Sequence, residues 1–161
     1  MTKTQTTRTT ASNPDVAAAS AQFLSPIVLD LMALTINGKQ AHWHVRGPNF
    51  VGVHELFDQI VANAQGFADT AAERIVALGL PVDARLATVA AKSKPTAVPA
   101  GFTKSDAMIA DVIADMDAAI VNVQAAIDGL GEIDQTSQDV AVEIMRGLEK
   151  DRWFLFAHIS E

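Results

Sequence analysis

The sequence predicts an all-α fold: a four-helix bundle with one long crossover connection. Three observations carry this. Apolar residues recur at helical spacing in four separate segments, no stretch alternates with period two, and the breaks between segments run short, long, short. The 161 residues are 49% hydrophobic and 19% charged, enough for one domain with its own core. There is no cysteine, which excludes a disulfide scaffold, a thiolate metal site and a thiol nucleophile.

Residues 1–13 read as a flexible N-terminal tail and 14–161 as the bundle domain. The tail, MTKTQTTRTTASN, has two cations, Lys3 and Arg8, and no apolar run, so it is not a secretory signal. The first helix runs from about Asp15 to Val45, with Leu24, Ile27, Val28, Leu31, Leu34 and Ala41 on one face. Pro26 marks either a fresh start or a kink within it. The loop Arg46-Gly47-Pro48-Asn49 ends that helix, and the second runs from about Phe50 to Gly79 on the stripe Phe57, Ile60, Ala64, Phe67, Ala71, Ile75. Pro81, Pro95 and Pro99 mark the long connection to Gly101, with room for a short helix around Ala84–Ala91. The third helix opens at Thr103 or Ser105 and carries Met108, Val112, Met116 and Val123; it stops at Gly129 or Gly131. The fourth opens near Asp134–Ser137 and carries Ile144, Leu148 and Leu155. The most apolar stretch, Val16–Ile36, contains Gln22, Pro26 and Asp30, so no membrane span is expected and a soluble, cytoplasmic protein is.

Charge narrows the function. Twelve Lys and Arg stand against 19 Asp and Glu, a net −7, which suits cations and disfavours a general polyanion binder.

The chemistry concentrates on the second helix. Three of the four histidines fall between residues 42 and 54. His54 and Asp58 are spaced i,i+4, and Asp69 and Glu73 repeat that spacing. At about 100° per residue all four face one way, opposite the apolar stripe. Asp58 and Asp69 lie roughly 16 Å apart along the axis, so one helix cannot bring both to one ion. Two antiparallel copies can. The pairs 54/73 and 58/69 share one midpoint, near Asn63–Ala64. A two-fold axis there sets His54 and Asp58 of one chain beside Glu73 and Asp69 of another, twice, at sites roughly 20 Å apart. Ala62, Gln65 and Gly66 between them are mostly small and permit close approach. His42, at the end of the first helix, completes two imidazoles and three carboxylates, a set that suits iron, manganese or zinc better than copper(I).

The words KQAHWHVRGPNFVGVHELFD, FADTAAERIVALGLP and LEKDRWFLFAHI resemble the signature of the Dps family, small ferritin-like proteins of bacteria, over nearly the whole chain from about residue 16. The resemblance implies a ferritin-like bundle and a ferroxidase centre between two-fold-related subunits. Its metal ligands would be His42, His54 and Asp58 from one subunit and Asp69 and Glu73 from the next, with no catalytic residue separate from them. It further implies a hollow homo-oligomer, a dodecamer, that oxidises ferrous iron, with hydrogen peroxide preferred, and stores ferric mineral. Iron (Fe2+/Fe3+) is then substrate and cargo.

Three departures from the family pattern stand out. His44 follows the AHW word where the family usually has Asn, and is either a surface residue or an added ligand or base. The tail lacks a run of Lys and Arg, so DNA binding is expected to be weak or absent. There is no tyrosine, which leaves Trp43 and Trp153 as packing residues or electron donors. Glu132, Asp134 and Asp139 are pore or capping candidates, and Glu55 a cavity or solvent residue. Two other functions compete: a DNA-compacting nucleoid protein, which charge disfavours, and a metal-dependent hydrolase using the same site. A classical ferritin is disfavoured because no Glu-x-x-His pair occurs.

Overall fold

A computed structural model of the chain describes residues 13–160; the expected flexible tail lies, but for Asn13, outside them. The elements are α1 (Pro14–His44), β1 (Val45–Arg46), α2 (Phe50–Ala77), α3 (Leu86–Lys92), β2 (Thr103–Lys104), α4 (Ser105–Leu130) and α5 (Gln135–Phe156). The four-helix bundle with a crossover is therefore present. α1 packs on α2 and α4, and α5 closes the square against α2 and α4.

Local chemistry sets the helix ends. Asn13 caps α1 by accepting the Asp15 N–H at 2.9 Å, with Pro14 at the first helical position. α1 then runs through Pro26 without restarting. α2 ends two residues before the expected Gly79 because that glycine, at φ 89, turns the chain into the left-handed region. The Leu80 N–H returns to the Ile75 carbonyl at 3.3 Å and the Gly79 N–H to Val76 at 2.8 Å, a Schellman ending. The short helix lies slightly later than expected, with Asp83 accepting from Arg85 and Thr88 at its start.

One feature was illegible in sequence: β1 and β2 form a two-residue parallel pair, Val45 with Thr103 and Arg46 with Lys104. A pair this short leaves no alternating pattern to read. It pins the start of α4 beside the end of α1, so residues 78–104 must travel back along the bundle, which is why that connection is long.

The core is the set of stripes the sequence gives, with Leu24, Ile27, Leu31, Phe57, Ile60, Met108, Met116, Ile144 and Leu148 at most 1% exposed. Two rings lie on glycines of facing helices. A Cβ added at Gly129 would meet Phe23 at 2.2 Å, and one at Gly147 would meet Phe67 at 2.1 Å. α1 is long and apolar enough to cross a bilayer by length and composition, but its apolar face is spent on this core.

Candidate metal centre

Two helices build the site. α1 carries Lys39 and His42 one turn apart. The chain then reverses through Gly47, at φ 113, and Asn49, at φ 57, and α2 presents His54 and Asp58 one turn apart on the facing side of the seam.

The two imidazoles stack, ring centroids 3.6 Å apart and planes inclined by 23°. The His42 Nδ1–H donates to the His54 carbonyl, and the His54 Nδ1–H to the His42 carbonyl, both at 2.8 Å. The His42 carbonyl is among the last four of α1, which have no donor one turn ahead inside the helix. His54 supplies that donor. A carbonyl only accepts, so each Nδ1 must hold the proton and each neutral ring keeps its lone pair on Nε2. This is how outer hydrogen bonds prepare histidines for a cation.

Asp58 is paired with Lys39, whose ammonium contacts Oδ1. The hydrogen bond from Lys39 lowers the Asp58 carboxyl below its usual range; desolvation opposes this, and the charge of Lys39 lowers it further. The predicted ligands therefore divide within one chain. His42, His54 and Asp58 gather at the α1–α2 seam. Asp69 and Glu73 lie further along α2, both exposed. Among the described residues no three His, Asp or Glu side chains form a cation site. Half a site per chain is the expected consequence if the rest comes from a second copy.

The face between the halves is open. Ala62, Gln65 and Gly66 are exposed, and a Cβ added at Gly66 would meet nothing within 4 Å. A groove runs beside them, walled by Val28 and Met32 of α1 and by Ala68, Ala72 and Asp69 of α2.

Other expected residues separate. His44 donates Nδ1–H to the Gln40 carbonyl at 2.9 Å and tilts against Phe102, on which the Arg46 guanidinium stacks at 3.4 Å. Trp43 and Trp153 are 61% and 63% exposed, so neither is core packing within the chain. Glu55, Glu132 and Asp139 are exposed. Asp134 caps α5 through the Thr136 N–H and binds Arg74 at 2.7 Å, with Ser20 and Ser137 also donating to it. Burial raises its pKa, but the hydrogen bonds from Ser137 and Arg74 outweigh that and hold it at about 2. Sequence reasoning passed over Lys39 and Arg74. The signals were Lys39 three residues before His42 and Arg74 directly after Glu73.

Comparison with known proteins agrees with this architecture. The Ferritin family, described as a ferritin-like domain, matches residues 22–161. The chain is similar to the Dps of Microbacterium arborescens, solved in a high iron form: 62% identity, TM-score 0.92, 94% of this chain and 99% of that one. The chain belongs to the Dps family. Further afield, this Dps chain is 36% identical to the DNA protection during starvation protein of Agrobacterium fabrum, over 83% of this chain and 82% of the relative. It is 28% identical to a Mycobacterium smegmatis Dps, with a TM-score of 0.88 over 94% of this chain and 93% of that one.

Proposed function

We propose that the protein is a ferroxidase and iron-storage cage of the cytoplasm. His42, His54 and Asp58 of one subunit and Asp69 and Glu73 of a second copy bind ferrous iron across a two-fold interface of a dodecamer. The observation that carries this reading is the reciprocal His42–His54 pair, which leaves two Nε2 lone pairs free beside an anionic Asp58. The high iron form of the Microbacterium arborescens Dps supports iron as the metal.

Each ligand has a task. The imidazoles bind ferrous iron without adding charge. The carboxylates favour the ferric product, since hard anionic oxygens match the harder cation. Two ferrous ions and two protons reduce one hydrogen peroxide to two waters, so no hydroxyl radical leaves. Removing both reactants protects DNA without contact, in keeping with a net charge of −7 that weakens attraction to phosphate.

The test is anaerobic loading with ferrous iron, then stoichiometric peroxide, followed by ferric absorbance and radical adducts. Fast oxidation with little radical, lost when His54 and Asp58 are both changed to alanine, supports the proposal. Oxidation no faster than in buffer moves the hydrolase reading forward, and a substrate screen on metal-loaded against stripped protein then decides it.

A further inference from the structure

We propose that Asp151 is a positioning residue: through Asn63 it anchors the middle of α2, where the two-fold axis between the proposed metal sites passes, and so sets how closely the two halves of each site approach. The inference rests on the metal-site reading above and adds to it a buried carboxylate of α5 outside the ligand set.

Asp151 stands where the helical period calls for an apolar residue. Ile144, Leu148 and Leu155 share its stripe on α5 and are buried, and Asp151 itself is only 4% exposed. The Asn63 side chain of α2 donates from Nδ2 to both carboxylate oxygens, each at 3.0 Å. Gln59, one turn earlier on α2, donates to Asn63 Oδ1 at 2.9 Å, which fixes the end of the amide that faces Asp151. One turn further along the same antiparallel seam, the Phe67 ring lies on Gly147. A ring on a glycine tolerates repacking, but the amide–carboxylate pair does not. Moving α2 by one turn along α5 would set Asn63 against Leu148 or Leu155 and leave buried polar groups without partners.

Stability does not account for the pair. Burial pushes the Asp151 carboxyl above the usual carboxylate range, and the Asn63 hydrogen bond and the Lys150 charge only oppose that. A well-packed apolar side chain is often the more stable occupant of such a position. Placement does account for it. The reciprocal His42–His54 bonds hold the start of α2, and the Arg74–Asp134 pair holds its end. Asn63 lies between them, beside the midpoint that residues 54/73 and 58/69 share. Around a two-fold axis any displacement of α2 toward or away from that axis is doubled between the copies.

The experiment uses assembled, metal-stripped full-length protein and cobalt(II), whose visible spectrum reports its ligands. Wild type, Asp151→Leu, Asp151→Asn and His54→Ala are titrated with cobalt, and the stripped samples are unfolded in denaturant. Asp151→Leu is expected to unfold at the same or a higher denaturant concentration than wild type, yet to bind cobalt about tenfold more weakly and with an altered spectrum. Asp151→Asn keeps an acceptor for Asn63 and is expected to recover most of the affinity and the wild-type spectrum. Sedimentation confirms that the variants assemble. Asp151→Leu binding cobalt with wild-type affinity and spectrum overturns the proposal. So does an affinity loss that only follows a loss of stability, or one that Asp151→Asn shares in full. Failure of the underlying metal site looks different: His54→Ala then leaves the cobalt isotherm as it is in wild type.

Discussion

His42 and His54 hold each other. Each ring donates to the other's backbone carbonyl at 2.8 Å, and the rings stack between those two bonds. The end of α1 and the start of α2 are thus joined by the residues that would bind the metal. Ligand preorganisation and helix termination are the same contact.

The pair should therefore matter without metal. His54→Ala removes the donor to the His42 carbonyl and is expected to cost about 1–2 kcal/mol in stripped protein. Denaturant unfolding at one protomer concentration measures it. No change in stability would mean that the reciprocal bonds are not made in solution.

The Arg74–Asp134 pair gives a pH signature. Asp134 titrates at about 2 in the folded chain against an ordinary 3.8. A depressed carboxylate stabilises above its unfolded pKa and loses that contribution as pH falls through the folded value. The shift corresponds to about 2 kcal/mol at neutral pH, lost progressively from about pH 4 to 2. Asp134→Asn keeps a capping oxygen. Its stability deficit should be near that size at pH 7 and shrink toward zero in acid, and a deficit independent of pH would assign the effect to capping alone.

Gly147 sets two effects against each other. Alanine is the better helix former by about 1 kcal/mol. The Phe67 ring stands 2.1 Å from where the new Cβ would sit, and overpacking costs about 1–3 kcal/mol. Gly147→Ala is expected to destabilise, and Phe67→Leu in the same chain to recover part of the loss. A more stable single variant would show that the ring moves aside freely.

Binding to DNA should be weak. The net charge is −7, and assembly into the proposed cage would multiply it by the number of subunits. No mobility shift is expected at physiological salt. A shift at low salt with near-stoichiometric protein would restore the nucleoid reading.

Much of this was legible in the sequence. The stripes led by Phe57, Met108 and Ile144 place four helices because burial and helical period leave the same mark. The His54, Asp58, Asp69 and Glu73 pattern shows because one straight helix turns sequence number into position. Lys39 and the Val45–Thr103 pairing did not show, since each depends on how separate segments meet. Nor did the fate of Asp134, where a capping carboxylate and a pore carboxylate read alike until Arg74 is seen beside it.

The central claim, a site shared between subunits, is tested most directly by mixing two inactive chains. One carries His54→Ala and Asp58→Ala, the other Asp69→Ala and Glu73→Ala. Each alone should oxidise ferrous iron no faster than buffer. Co-assembled in equal amounts with random pairing, they regenerate an intact site on one side of every mixed interface, so about a quarter of wild-type activity should return. Mixed cages that stay as inactive as either parent would contradict the account and place the whole site within one subunit.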